Sequence, residues 1–184
     1  MKRKLILWIA ALTAVVAGCA GLNPNPGERT TDMAWYSSNF KHAFDTAKLP
    51  AERGEPWAQL RLGIFFENGW GIDEDIEKAE YWYKKAAAQK TSGDWAEGKM
   101  IGAVGQLGYF NQNSDARIAQ YNLAHLYYTN GKNLLEAKEL IDIVILESEG
   151  KPIFFCCEFA GNGRYFSQSQ FMDLKQKIEM KLVE

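Results

Sequence analysis

Residues 54–89 read GEPWAQLRLGIFFENGWGIDEDIEKAEYWYKKAAAQ, and small side chains recur there at helical spacing among large aromatic ones. Such a pattern restricts the fold sharply. Two helices can approach closely only where one or both carry Gly or Ala, and aromatic rings then fill the space beside the contact. Trp57, Ala58, Leu60, Leu62, Ile64, Phe65 and Phe66 predict a first amphipathic helix. Asn68, Gly69 and Gly71 end it, either glycine supplying a left-handed C-cap. Asp73, Glu74 and Asp75 form an acidic lead-in that faces the positive end of a second helix. In that helix Ile76, Ala79, Tyr83 and Ala86 repeat at three and four residues, beside Trp82 and Ala87. Ala58 and Gly63 on one helix, and Ala79 and Ala86 on the other, are the expected points of close approach.

The order Ala58, Leu62-Gly63, Phe66, Gly69-Trp70-Gly71, Asp75, Ala79, Trp82-Tyr83, Ala86-Ala87 resembles one Sel1-like repeat, a relative of the tetratricopeptide repeat. The resemblance implies an all-α fold, antiparallel helix pairs stacked as a short solenoid with capping helices. It implies an interaction scaffold in place of a chemistry. A second, shortened unit is expected further on: Ala119, Leu123-Ala124, Tyr127 and Asn130-Gly131 in a helix over 116–129, then Ala137, Leu140-Ile141 and Val144-Ile145 in a helix over 134–146. This unit lacks the Gly-x-Gly turn and the Trp-Tyr pair.

Around these units the chain divides into three parts. In residues 1–18, Lys2, Arg3 and Lys4 precede an apolar run too short for a membrane span of about 20 residues. With Cys19 they resemble the signal peptide and lipobox of a bacterial lipoprotein, an uncleaved N-terminal anchor being the rival reading. The resemblance implies lipid (palmitate included) on Cys19, and Ala20 implies the periplasmic face of the outer membrane. Residues 19–31, with Asn23-Pro24-Asn25-Pro26-Gly27, read as an extended tether. Residues 32–184 read as a single helical repeat domain. Loss of Lys2, Arg3 and Lys4 reduces 21 basic residues to 18 against 23 acidic ones, a balance of −5 that argues against nucleic acid as a partner.

Within the domain, residues 32–47 predict one capping helix with Asp32 at its start, closed by Leu49-Pro50. Residues 94–107 predict a glycine-interrupted helix. The apolar run 153–159 fits either a short helix start or a strand-like strip, and Gly161-Asn162-Gly163 a turn. A last helix over 167–182 turns Phe171, Leu174 and Ile178 inward, with Met180 or Leu182 as further candidates. Cys156 and Cys157 are open to three readings: two buried thiols, a strained vicinal disulfide, or bridging between molecules.

No spacing of His, Cys or carboxylates predicts a metal site, a cofactor or a catalytic centre, and no small-molecule substrate is expected. His42 and His125 are far apart in sequence. The predicted binding feature is the first repeat's turn. Trp70 projects from it, surrounded by Glu67, Asp73, Glu74 and Asp75, so that an aromatic anchor and acidic steering address a basic protein partner. Some Sel1-like lipoproteins of this size resemble immunity proteins that occlude lipase toxins of type VI secretion systems, which makes a phospholipase effector the implied partner. An envelope scaffold or assembly factor is the alternative, and a periplasmic hydrolase a remoter one.

Overall fold

A computed structural model describes residues 26–89, 95–98, 108–111, 114–148, 153–154 and 165–184. Among these lie seven helices: α1 Pro26–Tyr36, α2 Phe40–Glu52, α3 Pro56–Asn68, α4 Ile76–Ala87, α5 Ser114–Asn130, α6 Leu134–Glu147 and α7 Gln168–Leu182. Each packs on its neighbour in sequence, and α3 also reaches α5, so helix pairs stack along one direction. The fold is all-α, a short helical solenoid.

Local chemistry accounts for the helix boundaries. The Asn39 side chain accepts from the His42 amide to start α2, Asp75 accepts from the Lys78 amide to start α4, and Ser167 and Gln170 form a reciprocal capping box at α7. Pro56 opens α3 at a position where its missing N–H has no helical partner to lose. Unlike the amphipathic helix expected, α3 is buried from Trp57 to Phe66 without interruption. Its polar members therefore need partners: Gln59 donates to the Ala51 carbonyl at 3.2 Å and accepts from Gln89 at 3.1 Å.

One buried cluster runs from Ala34 on α1 to Ile178 on α7, passing through Phe44, Leu60, Phe65, Tyr83, Ile118, Leu123, Ile141 and Phe171. Phe171, Leu174 and Ile178 face inward, whereas Met180 and Leu182 are exposed. Polar bridges tie the units together: Tyr127 donates to Glu80 at 2.9 Å between α4 and α5, and Asp142 sits between Lys138 and Lys175, each at 2.6 Å, between α6 and α7.

Four expectations are corrected. The single helix over 32–47 is two helices, because Ser38 adopts φ 59° and Asn39 restarts the chain as an N-cap. Pro50 lies inside α2, which continues to Glu52. The residues from 26 to 31 are the first turns of α1, where Thr31 is fully buried and bonded to Thr46 at 2.9 Å, so the tether reading does not hold for that part. The helix expected over 94–107 is replaced at its described edges by an antiparallel ribbon, β1 Trp95–Gly98 with β2 Gly108–Asn111, pairing Trp95 with Asn111. A second ribbon, β3 Ile153–Phe154 with β4 Tyr165–Phe166, agrees with the strand-like option at 153–154, the rest of the 153–159 run lying outside the described residues. Cys19, Cys156, Cys157 and the 161–163 turn lie outside the described residues.

Candidate functional site

The turn between α3 and α4 is built by two glycines. Gly69 takes φ 67° as the left-handed C-cap of α3, its amide directed to the Phe65 carbonyl, which Trp70 also reaches at 3.1 Å. Gly71 takes φ 74°, and a Cβ there would lie 2.4 Å from the backbone carbon of Phe40. The turn is thus pressed against the first residue of α2. Asp75 then accepts from the Lys78 amide at 2.9 Å, and the Asp75 amide donates back to the Phe66 carbonyl.

Of the five residues predicted to present a binding surface, the structure separates two from the rest. Asp73 and Glu74 are exposed. Glu67 instead points inward and accepts a hydrogen bond from the Tyr83 hydroxyl. Burial raises its carboxyl above the usual range, against the lowering influence of that bond. Asp75 is a helix cap in an ion pair with Lys78 at 2.7 Å, and the Lys78 bonds hold its carboxyl below the usual range. Trp70 is half-buried: its ring stacks on Phe40 at 6.0 Å and 22° and meets Trp35 at 6.0 Å. With Tyr36 beside Trp35 at 5.4 Å, these rings fasten the turn to α1 and α2. One face of Trp70 is therefore occupied by the protein itself, which the sequence did not reveal because both partners come from the capping helices.

The residues predicted at the helix contact sit as follows. Ala58, Ala79 and Ala86 are fully buried, Leu62 nearly so, and Trp82 packs half-buried against the core. A Cβ on Gly63 would fall 2.4 Å from two ring carbons of Tyr83, so the tyrosine ring lies flush on the α3 backbone. Its hydroxyl then reaches Glu67, one turn further along α3. In the second unit Ala124 and Ile141 occupy the corresponding places, both fully buried. A smaller branched side chain in place of the ring tolerates one more methyl group opposite.

His125 is a half-buried residue of α5 stacked on Tyr121 at 6.4 Å, and burial together with Lys177 pushes its pKa below the usual value. The most heavily buried charged group among the described residues was not predicted from the sequence. Arg61 on α3 is 1% exposed, its Nη2 lying 3.3 Å from Glu28 and 3.2 Å from Asp32 of α1. The available signal was an arginine in an otherwise apolar helix, which demands acidic partners from a neighbouring element.

The stacked helix pairs give the chain a helical-repeat architecture. Two stretches match the Sel1 repeat model, residues 58–90 and 117–139, which cover α3–α4 and most of α5 with the start of α6. These two stretches are similar to Sel1 repeats, and such repeats serve in general to bind other proteins. A similar curated protein is the chitin synthase regulator SKT5 of Saccharomyces cerevisiae, 38% identical over 65 residues. That match covers 31% of this chain and 9% of the yeast protein. No described helix is long and apolar enough to cross a membrane.

Proposed function

We propose that this chain is a lipoprotein, anchored through Cys19 at the periplasmic face of the outer membrane, whose repeat domain binds and neutralises a secreted toxin by occlusion. The toxin class that fits the resemblance is a phospholipase effector of a type VI secretion system. The observation that carries the binding half of this reading is the first repeat's turn. Asp73 and Glu74 stand free on it beside a half-exposed Trp70 that is braced from behind by Trp35 and Phe40. A braced aromatic loses little freedom on binding, and adjacent carboxylates steer a basic partner. The anchoring half is supported by the basic, apolar and small-residue order ending at Cys19.

Titration of the purified chain against the effector tests the binding half. Nanomolar affinity with loss of lipase turnover is expected, and Asp73→Lys with Glu74→Lys should slow association at low salt by roughly tenfold or more. No binding by the unmodified chain would overturn it. For the anchoring half, Cys19→Ser should move the protein from the membrane fraction to the soluble periplasmic fraction, while an unchanged membrane fraction would contradict lipidation.

A second reading, an envelope scaffold or assembly factor that holds resident proteins, is favoured by the partial likeness to a chitin synthase regulator. Crosslinking that captures the cell's own envelope proteins, independent of any toxin, distinguishes it from the first.

A further inference from the structure

Helix α7 turns Phe171, Leu174 and Ile178 into the core, and its opposite side carries a second strip with apolar members. Ser169, Met172, Gln176, Met180 and Val183 recur there at three and four residues, all of them exposed. Ion pairs border the strip on both sides. Toward α6, Lys175 meets Asp142 at 2.6 Å, while Glu179 lies at the looser distances of 3.8 Å from Lys138 and 4.0 Å from Lys175. On the other side Asp173 pairs with Lys177 at 2.7 Å. These six residues balance, three of each sign, on a chain whose formal charge is −2. An open hollow in the same face is lined by Ser169, Met172, Asp173, Lys175, Gln176 and Glu179.

We infer that this face of α7 binds the same face of a second copy of the chain, the two helices running antiparallel about a two-fold axis at Gln176. In that register the order of residues is self-complementary. Positions equidistant from 176 meet, so Met172 faces Met180 of the second copy and Ser169 faces its Val183. A two-fold axis of this kind also sets each flank against the same flank of the other copy. On one flank Asp173 comes beside Lys177 of the second copy, and on the other Glu179 comes beside its Lys175, each offset by two residues or about 3 Å along the axis. Antiparallel dipoles add to the pairing. A face without net charge gives a basic or acidic protein nothing to steer on, while its internal order answers itself. A strip about 22 Å long and about 15–20 Å wide covers roughly 300–450 Å² per copy, under the roughly 800 Å² per partner of a stable complex. Association is therefore reversible and micromolar.

Pairing through α7 leaves the candidate site uncovered. Helix α7 is the last of the sequentially packed described helices, whereas the Trp70 turn lies between the third and the fourth. A dimer therefore presents that turn twice. The inference does not depend on the toxin or the lipid.

Sedimentation equilibrium of the full chain over about 5 to 500 µM tests it, a range that brackets the affinity expected of so small an interface. The average mass should climb from that of the 20.8 kDa chain toward twice that value. Met172→Lys with Met180→Lys, both on the exposed side, should weaken association by roughly tenfold or more while the circular dichroism stays unchanged. Lys177→Asp should weaken it as well, and adding Asp173→Lys to that variant should restore it, because the exchange recreates the pair between copies with its signs reversed. A chain that stays monomeric throughout, undiminished association in the double methionine variant, or no recovery on the charge exchange would overturn the pairing.

Discussion

Tyr83 lies on Gly63 so closely that any other side chain at position 63 must displace the ring. The tyrosine is fully buried, and burial followed by the Glu67 charge pushes its hydroxyl well above the usual pKa, so it remains a proton donor to Glu67. Gly63→Ala should therefore cost about 1–3 kcal/mol in urea unfolding, the usual range for overpacking a filled contact. Combining it with Tyr83→Ile, which copies the Ala124 and Ile141 arrangement, should cost less than the sum of the two single changes, since the two positions share one contact. Strict additivity would mean that the ring and the backbone at 63 do not touch. This part of the repeat was legible in the sequence because the need for a missing Cβ leaves a glycine where a helix would otherwise disfavour one. The inward turn of Glu67 was not legible, since a carboxylate beside an acidic turn looks the same whether it faces solvent or a buried hydroxyl.

At the scale of elements, α4 and α5 belong to different repeat units, yet Tyr127 donates to Glu80 and Lys84 pairs with the same carboxylate at 2.8 Å. Burial tends to raise Glu80, but the bonds from Lys84 and Tyr127 outweigh it and hold the carboxyl low. Tyr127→Phe should reduce stability by about 1–2 kcal/mol in denaturant unfolding, the worth of a hydrogen bond to a charged group at a partly buried site. A change near zero would show that apolar packing alone joins the units. The elements that the sequence misrepresents are those whose boundaries depend on a partner. Ser38 turns left-handed without a glycine to announce it, and the Asn-Pro-Asn-Pro-Gly stretch reads as tether although Pro26 also suits the first position of a helix. In 94–107 the glycines were read as weak points of a helix, whereas Gly98 and Gly108 are paired across a ribbon.

At the scale of the whole molecule, α1 to α7 bury one continuous core in which the second, degenerate unit extends the first. Its surface can then act as a single rigid face toward a protein partner, with Asp73, Glu74 and Trp70 in fixed relation to the rest. Stacked repeats communicate only through their neighbours, so a weak α4–α5 junction would split the molecule into two independently unfolding halves. The tryptophans permit a direct check: of six, Trp35, Trp57, Trp70 and Trp82 lie in α1 to α4 or the α3–α4 turn, Trp95 in β1 and Trp8 in residues 1–18, whereas α5, α6 and α7 contain none. Tryptophan fluorescence therefore follows mainly the first half, and far-ultraviolet circular dichroism follows all seven helices. Urea unfolding monitored by both signals on one sample should give a single coincident transition with the same midpoint. Two separated midpoints, with fluorescence and dichroism parting company, would contradict the continuous core and the single binding face built on it.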